Sequence, residues 1–213
     1  AELVETQRQE AIRRRMHLVE LPASLKHATL VPNQKDSVIL TRSRTEILSL
    51  MSDFIGNFHS PTKKGLYVFG DFGVGKSFLL AALAHDLSEK YSVATTMIHY
   101  PSFVVNVKNA IQSGQVKAEI DTVKKADILI LDDIGAEQHS PWVRDDVLQV
   151  ILQHRMQENL PTFFTSNFSL ADLEKRLSQG KAGDESWQAK RVMERIRFLA
   201  KEVHLEGENR RHE

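Results

Sequence analysis

Short apolar runs alternate along this chain with stretches whose apolar positions recur every three or four residues. Besides a short candidate at 201–205, residues 65–69 (Gly-Leu-Tyr-Val-Phe), 93–98, 127–131 and 161–166 are runs of five or six rich in apolar residues and bounded by polar or turn residues. That is the pattern of strands buried on both faces. Between them, Ile47, Leu48, Met51, Phe54, Ile55 and Phe58 fall at helical spacing. Residues 78–84, 103–111 (after Pro101-Ser102) and 143–156 also read as helices. Strands alternating with helices predict an α/β fold, a five-stranded parallel sheet sandwiched by helices with right-handed crossovers. Ser43 and Glu46 have capping-box spacing ahead of the first periodic helix, and Ser169 with Asp172 forms a second cap. Residues 1–20 read as a highly charged helix that ends at Leu21-Pro22, and Val31-Pro32-Asn33 marks a further turn. Residues 1–36 are therefore an N-terminal extension or linker, and residues 37–213 the main domain. The polar stretch 178–186, with two glycines, reads as a mobile surface loop.

Composition adds mainly exclusions. The 213 residues suit one substantial core. Hydrophobic residues make up 41% and charged residues 26%, the proportions of an ordinary globular domain. No apolar run reaches the roughly 18 to 20 residues that span a bilayer, so no membrane partner is expected. The first residues lack a secretory pattern. With no cysteine, disulfides and thiolate metal sites are excluded. These features together predict a cytoplasmic protein. The chain opens at Ala1, which suits a piece of something longer. Net charge is zero, which argues against coating nucleic acid through bulk charge but leaves room for a local basic groove. Arg13-Arg14-Arg15, and Lys190, Arg191, Arg195 and Arg197, are the local concentrations; solvated helix surface is the plain reading of each.

Candidate chemistry is concentrated at residues 70–78. Gly70-Asp71-Phe72-Gly73-Val74-Gly75-Lys76-Ser77 fits Gly-x-x-x-x-Gly-Lys-Ser/Thr, the P-loop pattern. Glycines let the backbone curl so that its N–H groups converge on an anion. Lys76 sets a positive charge beside the β- and γ-phosphates, and the Ser77 hydroxyl is a hard oxygen ligand for Mg²⁺. A strand precedes the loop, and a helix beginning near Phe78 turns its N-terminus toward the phosphates. ATP with Mg²⁺ is the expected ligand.

A second motif completes that site. Ile128-Leu129-Ile130-Leu131-Asp132-Asp133 has Walker B character: four apolar residues, then two acids. A buried parallel strand delivers such acids to its C-terminal edge, where phosphates bind. Asp132 is the Mg²⁺-side acid, and Asp133 can polarise an attacking water. Asn167, after the strand at 161–166, can hold that water and sense the γ-phosphate if its strand lies between the other two. A strand ending in solvated acids and a polar turn are the plainer alternatives. No Asn-Lys-x-Asp sequence supports guanine binding. A P-loop small-molecule kinase is a competing reading, but two acids plus an asparagine suit water attack better.

The P-loop, Asp132-Asp133 and Asn167 together resemble an AAA+ ATPase core with a sensor-one asparagine. Thr162-Phe163-Phe164-Thr165-Ser166-Asn167, Arg191-Val192-Met193-Glu194-Arg195-Ile196-Arg197, and Tyr100-Pro101-Ser102-Phe103 with Lys108 are similar to the bacterial replicative helicase loaders of the DnaC and DnaI type, most closely the ATPase region of the DnaI type. The resemblance spans about residues 37–205. It implies an ATP switch that helps place a replicative hexameric helicase on single-stranded DNA in primosome assembly. A related AAA+ helper, for transposition or initiation, would share the core chemistry.

Only 46 residues follow Asn167 in the 213, which implies a reduced or absent C-terminal lid. Arg195 matches the family's arginine finger, with Arg191 as the second choice. A finger acts on a neighbour's ATP and requires head-to-tail self-association; a helix arginine paired with Glu194 or Glu202 is the alternative. Arg210 or Arg211 would be a remnant sensor-two residue, and Phe103 and Lys108 would meet DNA. Apolar residues before residue 50 would hold adenine. Asp133 stands where most AAA+ enzymes have Glu, which suits a slow switch. DnaI-type loaders also carry an N-terminal zinc domain, for which this chain has neither cysteines nor room.

Overall fold

The apolar runs become parallel strands. The computed structural model describes residues 2–29, 42–61, 64–180 and 183–209. Its strands are β1 (Met16–Val19), β2 (Gly65–Phe69), β3 (Thr95–His99), β4 (Ile128–Asp132), β5 (Thr162–Ser166), β6 (Gln179–Gly180), β7 (Gly183–Asp184) and β8 (Ala200–His204). Six of them form one sheet in the order β1-β3-β4-β5-β2-β8, every neighbouring pair parallel. The helices are α1 (Glu2–Arg15), α2 (Arg42–Gly56), α3 (Lys76–Tyr91), α4 (Tyr100–Asn109), α5 (Val116–Lys124), α6 (Gln149–Gln157), α7 (Leu170–Leu177) and α8 (Ser186–Leu199).

The pleat divides the core. Leu66, Val68, Ile128, Ile130 and Phe163 join one apolar cluster with residues of α1, α2 and α3. Tyr67, Leu129, Leu131 and Phe164 join the other, with residues of α4 to α8. Adjacent residues on a strand face opposite sides. With helices on both sides, every position of β4 and β5 is buried, which is why these runs are continuously apolar.

The α/β sandwich is the one expected, and the sheet is one strand wider. β1 lies within residues 1–36, which looked like a charged helix followed by a linker. The helix ends at Arg15, and the chain then pairs with β3, Met16 opposite Thr95. Ile12 and Met16 are buried at 1% and 2% exposure, so this segment contributes to the core. Its pattern is short, and the polar His17 interrupts it, which suits an edge strand rather than a central one. Helices α5 and α7 did not stand out because each offers few buried positions: Ile120 and Val123 with the half-buried Val116 in α5, and Leu170, Leu173 and Leu177 in α7. Ser169 does cap α7, its hydroxyl accepting from Asp172 N–H at 3.2 Å. Ser43 lies inside the first turn of α2, and its hydroxyl accepts from Glu206 N–H at 2.9 Å.

Two other stretches differ from expectation. Residues 143–156 are not a single α-helix: Val143–Leu148 is a π-helical stretch that runs into α6. Arg144 there is 2% exposed and bonds Asp145, Leu177 O and Glu185. Within residues 178–186, β6 and β7 pair as a short antiparallel hairpin instead of an open loop. The turn at Val31-Pro32-Asn33 lies outside the described residues. Among the described residues no helix follows β8, and none is long and apolar enough to cross a membrane.

Candidate nucleotide-binding site

The site lies along the C-terminal edge of β2, β5 and β4. After β2 the chain enters the loop 70–75, in which Gly73 and Gly75 have φ of 74° and 98°. These left-handed values strain any residue with a Cβ. Gly70 is constrained differently: a Cβ there would lie 2.2 Å from Leu205 O on the edge beside β8. Gly75 is the N-cap of α3, so the first-turn N–H groups, which have no partner within the helix, open onto the loop. Of the loop residues, Asp71 and Phe72 are exposed and Val74 is buried. Phe78, in the first turn of α3, is also exposed.

Lys76 is 9% exposed. Its ammonium donates to Gly70 O at 2.8 Å, Asp71 O at 2.6 Å and Asn167 Oδ1 at 3.0 Å. Asn167 follows β5, which pairs with β2 on one side and β4 on the other. The strand order thus meets the condition on which a sensing role for Asn167 depended.

Ser77 and Asp132 also meet. The Ser77 hydroxyl donates to Asp132 Oδ1 at 2.6 Å, and the Thr165 hydroxyl donates to the same oxygen at 2.8 Å. Thr165 Oγ1 in turn accepts from Asp133 N–H at 2.8 Å. Asp132 is 5% exposed, and burial raises its pKa above the usual carboxylate range. The two hydroxyl donors, and His99 nearby, act in the opposite direction; the Asp133 charge adds to the rise. A serine hydroxyl and a buried carboxylate side by side are hard oxygen donors, which fits Mg²⁺.

Asp133 is placed differently from Asp132. It has left the strand and has φ of 61°, a left-handed value more accessible to Asp than to most residues. Its Oδ2 lies 3.5 Å from His99 Nε2. Thr165 and His99 were missed by motif reading, because their roles follow from strand order and register. A polar residue in the strand just before Asn167 was the only local signal for Thr165.

Other expected positions lie elsewhere. Arg195, on α8, donates through Nε to Gln153 Oε1 at 2.7 Å and through Nη1 to Arg191 O at 2.8 Å. It faces α6, and no hydrogen bond among the described residues joins it to the P-loop. Arg191 is exposed. Phe103 is 4% exposed and packs in the core, which removes it as a stacking platform for a base; Lys108 is half-buried. Arg210 and Arg211 lie outside the described residues. Of the residues before 50, Arg44 on α2 approaches the loop, 3.5 Å from where a Cβ on Gly75 would be.

The sequence and fold are similar to those of known proteins. The family of IstB-like ATP-binding proteins matches residues 7–213. The replicative helicase loader DnaI of Bacillus subtilis (strain 168) is 44% identical over 172 residues, 80% of this chain and 55% of that protein. The chain thus spans about half the length of that relative. A solved structure from Streptococcus pyogenes serotype M3 is 54% identical with a TM-score of 0.79, covering 95% of this chain and 99% of that one. A crystal structure of DnaI is 36% identical with a TM-score of 0.77, covering 94% and 99%.

Proposed function

This chain belongs to the family of IstB-like ATP-binding proteins, and on that premise we propose that it is the ATPase part of a helicase loader. It binds ATP with Mg²⁺, hydrolyses it slowly, and uses the bound state as a switch while a replicative hexameric helicase is placed on single-stranded DNA. Likeness to a replicative helicase loader supports the partner. The observation that carries the chemistry is the convergence of Lys76, Ser77, Asp132 and Asn167 on one edge of the sheet.

Each residue has a part. The backbone of residues 70–78 surrounds the phosphates, with Lys76 as the counter-charge for the β- and γ-phosphates. Lys76 now bonds backbone carbonyls and Asn167, so its ammonium is already held at the loop. Ser77 and Asp132 would hold Mg²⁺, which neutralises phosphate charge when bound. Asp133 takes the proton of the attacking water, and Asn167 orients that water. Asp is one methylene shorter than Glu, which suits slow turnover. Residues 37–213 form the ATPase unit, and residues 16–19 extend its sheet.

Arg195 serves the neighbouring copy. Its bonds to Gln153 and to Arg191 O hold the guanidinium on the surface between α6 and α8. Trp187 and Phe198 on the same helix are 71% and 52% exposed, unusual for side chains that gain from burial. A head-to-tail contact would bring this face to the next copy's γ-phosphate, where positive charge stabilises the transition state.

The test mixes the chain with a replicative helicase and single-stranded DNA, with and without Mg·ATP. Stable helicase on DNA only in the presence of both the chain and ATP is expected. Equal loading without the chain, or no helicase association at any nucleotide state, overturns the reading. DNA affinity is measured at low salt as well, since phosphate contacts are screened.

A further inference from the structure

One group of metal-binding side chains stands apart from the nucleotide site. His85 lies nine residues beyond Lys76 on α3 (85 − 76), roughly 13 Å along the helix axis. Most of α3 is apolar and enters the core. His85 is buried there at 6% exposure, and its Nδ1 has no hydrogen-bond partner among the described residues. A buried ring nitrogen left unpaired is costly, and buried polar groups are rarely left so. Asp86 Oδ1 lies 3.6 Å from that Nδ1, beyond hydrogen-bond reach. Glu89 is four residues after His85 and three after Asp86, spacings that share a helix face. One donor atom from each of the three lies within 4.8 Å of the others.

We infer that His85, Asp86 and Glu89 hold one first-row divalent metal ion, with Zn²⁺ the best match, and that the ion competes with Arg8 for Glu89. The donor set selects the metal. An imidazole nitrogen with two carboxylates suits Zn²⁺ and its neighbours, whereas Mg²⁺ and Ca²⁺ prefer oxygen alone. Bonds of about 2.0 to 2.2 Å at tetrahedral angles set donor atoms roughly 3.3 Å apart. His85 and Asp86 already stand close to that separation. Glu89, its side chain one-third exposed, closes the set by rotating inward. Three protein donors leave the fourth position to water. The ion takes the Nδ1 lone pair, which no neighbour among the described residues uses. Glu89 is meanwhile held from α1: Arg8 Nη2 donates to Glu89 Oε1, and Arg8 Nη1 lies 3.9 Å from Glu5 Oε2. An ion that draws Glu89 inward frees Arg8 and loosens this tie between α1 and α3. Arg15, donating to Ser88 O at 3.5 Å, keeps a second tie.

The experiment titrates Zn²⁺ into the intact, nucleotide-free chain by calorimetry. The pH is set slightly above neutral, so that imidazole is free to bind, and Mg²⁺ is kept in excess to fill oxygen-only sites. Asp86→Ala, Glu89→Ala and Arg8→Ala are compared with wild type; all three positions are at least partly exposed, so the variants fold. One Zn²⁺ binds per wild-type chain. Each carboxylate variant weakens binding about 10-fold or more, since even the outer partners of a metal are worth that much. Arg8→Ala, which releases Glu89, binds more tightly. The chain has nine histidines, so long-range ¹⁵N–¹H spectra identify the His85 ring by its disappearance in His85→Gln. Its Nδ1 signal moves when Zn²⁺ is added. No saturable binding, binding undiminished in Asp86→Ala and Glu89→Ala, no tightening in Arg8→Ala, or shifts confined to other histidines overturns the inference.

Discussion

Asp132 is a carboxylate kept where water is scarce. Two hydroxyls on one oxygen offset only part of the cost of burial, and its pKa is raised. The sign follows from proton binding. Between the ordinary carboxylate value, about 3.9, and the raised one, the folded state binds more protons than the unfolded state, so stability falls as pH rises through that interval. The cost is therefore larger at neutral pH than in the ordinary carboxylate range. Asp132→Asn, which keeps an acceptor for Ser77 and Thr165, is therefore expected to melt at a higher temperature than wild type at neutral pH in the absence of nucleotide. The difference should shrink as pH falls into the ordinary carboxylate range; thermal melts across pH read it directly. A variant that melts lower at neutral pH would mean that the charge itself is needed by its neighbours. Asp133 bears on rate instead. Asp133→Asn leaves ATP affinity intact and lowers phosphate release about 100-fold, the lower end of what a general base supplies. Lys76, Ser77, Asp132 and Asn167 were legible in the sequence because motif spacing encodes them. Thr165 and His99 were not, since register across strands decides what each touches.

At the scale of elements, β1 forms one edge of the sheet, and the buried Arg155 of α6 bonds to the segments that lead into β4 and β5. Arg155, on α6, is fully buried, and its guanidinium donates to Thr162 Oγ1 at 2.8 Å, Pro161 O at 2.6 Å, Lys124 O at 3.2 Å and to Ala126 O. Burial lowers its pKa to about 9, still above neutrality, so the group stays charged. It ties α6 to the residues that enter β4 and β5. Arg155→Ala leaves those acceptors unpaired around a cavity and should cost on the order of 3 to 5 kcal/mol in chemical denaturation. Met16→Ala should cost about 2 kcal/mol or more. A near-zero effect at Met16 would mean that β1 is a dispensable edge. The central strands were plain in the sequence because burial on both faces leaves an uninterrupted apolar run. β1 was hidden because four residues next to a charged helix carry no such run, and the π-helical stretch shares its apolar spacing with an ordinary helix.

At the scale of the molecule, no hydrogen bond among the described residues joins Arg195 to the site of Lys76, Ser77, Asp132 and Asn167. Arg195 faces its own α6, so its proposed action falls on a second copy. Turnover per chain should then rise with protein concentration as copies associate. Arg195→Ala should remove that rise and leave the dilute rate unchanged. An equal loss in dilute, monomeric protein would contradict action in trans. The sheet order was left open by the motifs, which made the role of Asn167 conditional on β5 lying between β2 and β4, as it does. Head-to-tail self-association was expected from Arg195 alone; the apolar pattern did not mark the proposed face, because nothing in it separates the exposed Trp187 and Phe198 from core residues at helical spacing.

Calorimetric titration of Mg·ATP into the intact chain, beside Lys76→Ala and Ser77→Ala, tests the central claim most directly. Saturable binding of one nucleotide per chain is expected, abolished in Lys76→Ala and stripped of its magnesium dependence in Ser77→Ala. No binding to the folded wild type, or equal binding to Lys76→Ala, would contradict it.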